Sequence, residues 1–392
     1  MRNNTPETAF MKWSLSFCRY GIDIAPRESG NVETLTGNNW LKDADGHTVA
    51  QFYTGFGAAW GSGGTSMGGP SEKGARLPKT LRLSYYDTLE DRFYQLDAEL
   101  PLRRLFELLV EAPPIVAKNV TYGVVRPRYE DLRIGIAPDG HVMLWVWGLG
   151  SQVELATYRA RVLEGMTVKS YNASLPGGTF TLAEDRWIGL GRMSAATHER
   201  IKAGWRPDPM WYMRHIRVKF PWRHVLTGNV SRVTELESYQ GNAEAESVGQ
   251  WEMANYTQIN RLRGIPETAK FWFHDQQGGR HFLWLEFSLR ERAVSEADLS
   301  EVRAAFDEVF PGRQLEDNGW LPGEADMARV EVHIPDDFKR ITASLVKGDV
   351  RLPLPVGKTQ HFALEPFTHW RGNKTEEIAP EVRKLFQQGP QS

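Results

Sequence analysis

The sequence lacks the features that define several large protein classes. It contains one cysteine, Cys18, so no disulfide bond can form within the chain. Its 47 Lys and Arg residues are balanced by 49 Asp and Glu residues, which leaves a net charge of −2 and no basic surplus for nucleic acid. It has no run of about 18 apolar residues, so we expect no membrane span.

Catalytic motifs are also scarce. Gly64–Gly68 matches G-x-S-x-G, the pattern that presents a nucleophilic serine between a strand and a helix. Here Ser66 is followed by Gly68-Gly69-Pro70, which cannot start a helix at once. The same stretch lacks the G-K-[ST] ending of a phosphate-binding loop. We therefore expect no enzymatic activity, and a serine hydrolase built on Ser66 is the alternative that this motif leaves open.

The ten histidines give no metal-binding spacing. The hairpin register described below makes His274 and His281 cross-strand neighbours, which is compatible with a shared metal ion. A metal site needs a third and a fourth ligand, and the sequence offers none for this pair. We therefore predict no metal and no cofactor.

What the sequence does contain is a repeat. Leu77-Pro78-Lys79-Thr80 opens an apolar stretch, and Ile265-Pro266-Glu267-Thr268 opens another about 190 residues later. Each stretch continues with a short loop, an arginine and a second apolar run. A repeat at this spacing predicts two similar domains and not a short-period solenoid.

Both stretches are predicted to form β-hairpins, because apolar and polar residues alternate on each side of a short loop. A four-residue loop in each copy places Asp87 opposite Arg92 and Asp275 opposite Arg280, with aromatic side chains facing inward. Cross-strand pairs of this kind stabilise sheets by roughly 0.2–1 kcal/mol each. We interpret these four residues as structural register pairs and not as catalytic groups.

Other elements recur around the hairpins. A helix beginning near Pro101 follows the first hairpin, and one beginning near Ser295 follows the second. A second hairpin turns at Pro138-Asp139-Gly140 and has a counterpart that turns near Pro335. The opening strand spans 13–26 in the first half and 211–221 in the second.

This order of elements predicts an α+β fold made of two similar, mainly antiparallel β domains, each with a helix packed on its sheet, as an internal duplication produces. Residues 1–205 form the first domain, and residues 206–356 form a divergent second domain. Residues 357–392 form a C-terminal tail with a helix expected at 375–387.

Fourteen tryptophans are a high count, and most suit strands and cores. The glycine-rich stretch 55–74 reads as a loop between strands, and it has no counterpart in the second half. As loop residues, Trp40, Trp60 and Met67 are candidate contacts for a partner.

The ordered set of Trp13, Trp60-Gly61, Leu77-Pro78, Asp87–Tyr94 and Gly135–Gly140 resembles a family of bacterial domains of unknown function, many of which are predicted lipoproteins. Members often look like neighbours of type VI secretion phospholipase effectors. The resemblance implies an immunity protein that binds and neutralises such a lipase, with no catalytic residues of its own.

The sequence also bears on the cellular location and on an alternative function. The first residues show no signal segment, so we expect a cytoplasmic location, or a periplasmic one if a signal segment precedes this numbering. A module that binds a small ligand or a glycan through surface aromatics is the alternative to a protein-binding function.

Overall fold

The computed structural model describes residues 5–19, 33–36, 39–52, 74–111, 115–119, 123–126, 129–148, 151–175, 181–182, 184, 195–205, 208–249, 253, 255–287 and 296–364. Trp60, Ser66, Met67, most of the glycine-rich stretch and the expected helix at 375–387 therefore lie outside the described residues.

Strands dominate the fold. In chain order they are β1 (Phe10–Met11), β2 (Ser14–Arg19), β3 (Glu33–Leu35), β4 (Asn39–Lys42), β5 (Thr48–Phe52), β6 (Ala75–Arg76), β7 (Thr80–Asp87), β8 (Arg92–Glu99), β9 (Ile115–Asn119), β10 (Gly123–Arg126), β11 (Asp131–Ala137), β12 (His141–Gly148), β13 (Ser151–Arg159), β14 (Arg161–Val162), β15 (Phe220–Gly228), β16 (Arg232–Gln240), β17 (Ala245–Val248), β18 (Leu262–Arg263), β19 (Pro266–His274), β20 (Arg280–Glu286), β21 (Ala328–Ile334), β22 (Thr342–Lys347), β23 (Val350–Leu354) and β24 (Thr359–Leu364).

The α-helices are α1 (Leu102–Phe106), α2 (Val168–Ser174), α3 (Ala195–Lys202), α4 (Pro209–Trp211) and α5 (Glu296–Val309). A π-helical turn continues α1 at Glu107–Glu111, and another continues α4 at Tyr212–Ile216. Short 3₁₀ turns lie at Tyr256–Gln258, Leu315–Gly319 and Glu324–Asp326.

The chain divides into two compact units. The first comprises Met1–Ala112, Arg128–Gly148 and Gln152–Met210. The second comprises Pro113–Pro127, Leu149–Ser151 and Trp211–Ser392. The predicted join near residue 205 lies a few residues before the start of the longest segment of the second unit.

In the first unit, β14-β8-β7-β4-β5 form one sheet, with β3 also pairing with β7. A second set of strands runs in the order β2-β11-β12-β13, and β2 is parallel to β11. A buried core that includes the α1 residues Leu105 and Phe106 joins apolar residues of both sheets. The inner face of β7 and β8 carries Tyr85 and Tyr94, whose rings stack with centroids 5.2 Å apart.

In the second unit, β18-β15-β21-β22-β23 form one sheet, and β15 is parallel to β21. The other strands run in the order β17-β16-β19-β20-β24. Phe306 of α5 packs against Phe220 and Trp222 of β15. The expected mixture of helices with largely antiparallel sheets is therefore present, and each unit adds one parallel strand pair that the sequence did not predict.

The first hairpin has the predicted register. Asp87 lies opposite Arg92, Arg82 lies opposite Asp97, and Tyr85 lies opposite Tyr94. The second hairpin differs by one position, because His274 and not Asp275 lies opposite Arg280. The loop here has five residues: the Asp275 backbone N–H donates to the Gly279 carbonyl at 2.9 Å, which takes Asp275 out of the strand.

The predicted opening strand of the second half, 211–221, is also wrong. Pro209 begins a helix, with the Met210 N–H donating to the Asp208 carboxylate at 2.8 Å. Proline suits a first helical position, and Tyr212 and Ile216 then face the core at helical spacing. The strand begins only at Phe220.

Candidate functional site

The outward face of β16, β19, β20 and β24 in the second unit carries a row of aromatic side chains. Trp272 lies opposite Phe282, and Phe282 lies opposite Phe362 on β24. The ring centroids of Trp272 and Phe282 are 4.9 Å apart, and those of Phe282 and Phe362 are 6.1 Å apart. Three neighbouring strands thus present one continuous aromatic strip.

A second row runs beside the first and mixes charge with aromatic surface. Lys270 lies opposite Glu237 on one side and opposite Trp284 on the other. Its Nζ atom lies 2.9 Å from Glu237 Oε2 and above the rings of Tyr239 and Trp284, 5.0 and 5.7 Å from their centroids. Burial disfavours its charged form, but Tyr239 and Glu237 outweigh that cost and raise the pKa of Lys270.

We call Tyr239, Lys270, Trp272, Phe282, Trp284 and Phe362 the aromatic face. Strand alternation sets it apart from the core, because Phe271, Phe273, Leu283 and Leu285 point the other way and are fully buried. The residues of the aromatic face are partly exposed, and Phe362 is 52% exposed. A cluster of exposed aromatics of this kind marks a binding surface more often than single exposed apolar residues do.

The opposite side of the same strands holds a hydrogen-bonded chain of three titratable residues. Asp275 Oδ2 lies 3.0 Å from His281 Nε2, and His281 Nδ1 lies 3.0 Å from His361 Nε2. The hydrogen bond with His281 holds the pKa of Asp275 below its usual range. The Asp275 carboxylate also accepts from the backbone N–H groups of Gln277 and Gly279.

This chain differs from the predicted pairing of His274 with His281. His281 lies opposite Phe273, so His274 and His281 point to opposite faces of the sheet. Nothing in the sequence pairs His361 with these residues, because it belongs to the segment expected to be a tail. Residues 359–364 show no alternation of polar and apolar side chains, so no local signal marks the strand that they form beside β20.

The two aspartates of the predicted register pairs, Asp87 and Asp275, accept hydrogen bonds from their own turns. The Asp87 carboxylate accepts from the N–H groups of Leu89 and Glu90 at 2.8 and 3.2 Å. Asp275 does the same in the second hairpin. The shared function of these two aspartates is therefore to close the loops, and Arg280 is exposed at the strand end.

Of the predicted partner contacts, the structure describes Trp40. The expected loop position is wrong, because Trp40 lies on strand β4. Its side chain is partly buried, with Lys42 Nζ 4.4 Å from its ring centroid. It belongs to the first unit and is not a member of the aromatic face.

Asp43, Asp45 and His47 in the β4–β5 turn bring their ligand atoms within 4.8 Å of one another. The cluster already has a cation, because Arg76 forms ion pairs with both Asp43 and Asp45. Asp43 also accepts hydrogen bonds from the backbone N–H groups of Asp45 and His47, at 3.0 and 2.9 Å. These contacts explain the cluster as a structured turn.

A buried polar network lies beneath β15 in the second unit. Arg263 donates two hydrogen bonds to Glu246, and both residues are almost fully buried. Although burial opposes ionisation, Arg261 and Arg263 lower the pKa of Glu246. Burial also lowers the pKa of His224 to about 3, so its ring stays neutral beside Ser238. Because Arg263, Glu246 and His224 are almost fully buried, we interpret their role as structural.

A family model described as a protein of unknown function, DUF2931, matches residues 2–203. This is more than half of the chain. The chain belongs to the DUF2931 family. No curated protein matches this DUF2931 protein, and no solved structure does. The matched region covers nearly all of the first unit, whereas the aromatic face lies beyond it, on a part of this DUF2931 protein that the family model does not cover. In the described portion of the chain, no helix has both the length and the apolar character needed to cross a bilayer.

Proposed function

We propose that this DUF2931 protein is a non-enzymatic immunity protein that binds and neutralises a type VI secretion phospholipase effector. The observation that carries the binding function is the aromatic face, with two tryptophans, two phenylalanines and a tyrosine on adjacent strands. Tryptophan, tyrosine and phenylalanine are enriched in the buried centres of protein interfaces. The identity of the partner follows from the family resemblance of the sequence.

The geometry suits inhibition by occlusion. The rings are held by strand pairing and by contacts with one another, so they lose little conformational freedom when a partner covers them. A stable interface buries roughly 1,200–2,000 Å² in total, which requires neighbouring surface as well. Lys270 of the aromatic face and its ion-pair partner Glu237 would orient the partner protein through charge.

An internal duplication is part of the same proposal. In both units a strand from the start of the unit runs parallel to the first strand of a later hairpin, as β2 does with β11 and β15 with β21. In both units a tight hairpin is closed by an aspartate, Asp87 or Asp275. The second copy, having diverged, carries the aromatic face.

The experiment combines the purified chain with the phospholipase encoded beside it. We expect a complex in size-exclusion chromatography and loss of lipase activity at equimolar ratio. The double variant Trp272→Ala/Phe362→Ala should weaken binding by at least 100-fold, which is about 2.7 kcal/mol for two central aromatic residues. Trp320→Ala is the matched control, because Trp320 is a 43% exposed tryptophan of the same unit outside the aromatic face. A fully active lipase with no complex refutes the proposal.

A second candidate function is the binding of a small ligand or a glycan. Glu237, Lys270 and Gln360 lie in one cross-strand row with Trp284, so hydrogen-bonding groups alternate with flat apolar rings. Sugars need both kinds of contact. A tryptophan-fluorescence titration with soluble oligosaccharides separates the two functions, because only the glycan-binding protein responds without a protein partner.

A further inference from the structure

The chain Asp275–His281–His361 joins the loop between β19 and β20 to β24, the last strand in the sheet order. Because a carboxylate only accepts, His281 donates from Nε2 to Asp275. In the neutral ring Nδ1 is then an acceptor, and His361 donates to it from Nε2. Every ring nitrogen at the two contacts thus has a definite role.

The two rings meet edge to edge. Their planes differ by 23°, and their centroids lie 5.1 Å apart while the bonded nitrogens are 3.0 Å apart. The nitrogen of each ring therefore points towards the other ring. A zinc ion placed between two such in-line nitrogens needs them about 4 Å apart, twice a Zn–N distance. The observed geometry fits a shared proton and not a shared metal.

Phe338 closes the site from the other sheet. Its ring stacks on His281 and on His361, with centroid distances of 4.6 and 4.4 Å. Phe338 has a φ of 56°, a conformation that a bulky residue rarely adopts, so the loop presents this ring at some conformational cost. The histidine pair is thus packed between strands and an aromatic lid.

Acid adds protons to the two histidine rings and so changes the hydrogen bond between them. One added proton is tolerated: His281 then donates from both nitrogens, and His361 accepts by changing tautomer. A second added proton places N–H against N–H and charge against charge, so the hydrogen bond between the rings is lost. The contact between β20 and β24 therefore depends on the pair holding fewer than two extra protons.

We propose that Asp275, His281 and His361 form an acid-released latch that holds β24 on the sheet at neutral pH. His361 and Phe362 are consecutive residues with opposite orientations, so release of β24 also removes Phe362 from the aromatic face. The regulatory consequence rests on the proposed function, because it makes binding at this face weaker in acid. The latch itself needs no partner.

The surrounding groups set the direction of the effect. Burial and the neighbouring His281 lower the pKa of His361, so the closed strand binds its last proton less readily than the released strand does. Release is therefore favoured as pH falls below the ordinary histidine value near 6.5. His281 is the titratable group in contact with His361, and Asp275 in turn contacts His281. The charged residues of the Phe338 loop are exposed: Asp336, Asp337, Lys339 and Arg340.

The test is hydrogen exchange of the full chain at pH 7.5 and pH 5.5, corrected for intrinsic exchange rates. We expect the amides of 359–364 to exchange up to about tenfold faster at the lower pH, since the released strand takes up one more proton near the ordinary histidine pKa of about 6.5. Amides of β21 should keep their protection. Unchanged protection of β24 at pH 5.5 overturns the proposal.

Two variants sharpen the result. His361→Gln keeps an amide that can donate to or accept from His281 but cannot titrate, so β24 should stay closed at both pH values. His274→Gln removes a histidine on the other face and should leave the acid response intact. If His361→Gln responds like the wild type, the latch is wrong. In wild-type protein, NMR signals of the His361 ring and of the Phe362 ring should change over the same pH range. If the two sets of signals change over different pH ranges, the latch is also wrong. An intact latch without lipase binding refutes only the proposed function.

Discussion

His361 and Phe362 are consecutive residues of β24 that serve opposite faces of one sheet. His361 bonds to His281 on the inner side, and Phe362 extends the aromatic strip on the outer side at 6.1 Å from Phe282. On its inner side, β24 is therefore bonded to the sheet through the hydrogen bond between the titratable residues His361 and His281. Under the proposed latch, the aromatic face therefore depends on the protonation state of the histidine pair.

The turn between β11 and β12 should depend on Gly140. Asp139 and Gly140 both have positive φ, 59° and 72°, as the tight hairpin turn requires. A Cβ at Gly140 would lie 2.5 Å from the Ala160 carbonyl oxygen, whereas one at Gly46 meets nothing within 4 Å. We expect Gly140→Ala to cost about 3 kcal/mol of unfolding free energy and Gly46→Ala about 1 kcal/mol. Equal midpoints in urea denaturation would contradict this packing.

The turn-closing role of Asp275 predicts an asymmetry with Arg280. Asp275→Ala removes acceptors for two backbone N–H groups and for His281, so it should lower the thermal midpoint clearly. Arg280→Ala should leave the midpoint unchanged, because Arg280 lies opposite His274 and is exposed. Calorimetry of both variants checks this. Equal losses would instead support the Asp275–Arg280 pair that the sequence predicted.

That pair illustrates what the sequence could and could not reveal. The register of Thr80–Asp87 with Arg92–Glu99 follows from alternation and loop length, and the structure has it. Applying the same loop length to the second copy failed because Asp275 bonds to Gly279 and lengthens the loop by one residue. A one-residue slip exchanges the faces of a strand, so His281 faces inward and Phe282 outward.

The aromatic face itself was hidden for a related reason. Both faces of β19 and β20 carry aromatic residues, so alternation of apolar and polar residues did not separate core from surface. The strand predicted from Trp211 was wrong for a similar reason. Aromatic residues favour strands, but Pro209 starts a helix at this position. The pairing of β24 with β20 joins residues about 80 positions apart, and no local pattern encodes it.

Acid should destabilise the second unit through His224. Burial lowers the pKa of His224 to about 3, below the value near 6.5 of an unfolded chain. The unfolded chain therefore takes up the proton first, and the stability present above about pH 6.5 is lost as pH falls towards 3. His224→Leu should flatten the dependence of unfolding free energy on pH by up to about 1.4 kcal/mol per pH unit. Urea titrations at pH 7.5, 6.5, 5.5 and 4.5 measure it, and parallel profiles for wild type and variant would contradict it.

The buried pair of Glu246 and Arg263 should behave as one unit. Glu246→Ala leaves the Arg263 guanidinium buried beside a partner too small to compensate it, which should cost about 3–5 kcal/mol. The double variant Glu246→Leu/Arg263→Met removes both charges and should regain most of that loss. Denaturation in urea compares the two, and a double variant less stable than the single one would show that the ion pair itself contributes net stability.

The proposed function requires that a lipase effector cover the aromatic face. The test is hydrogen exchange of the chain alone and mixed with a candidate type VI phospholipase effector. We predict protection concentrated in β19, β20 and β24, with that protection absent in Trp272→Ala/Phe362→Ala. Protection elsewhere in the chain, with these strands exchanging as they do alone, would show that the effector does not bind the aromatic face.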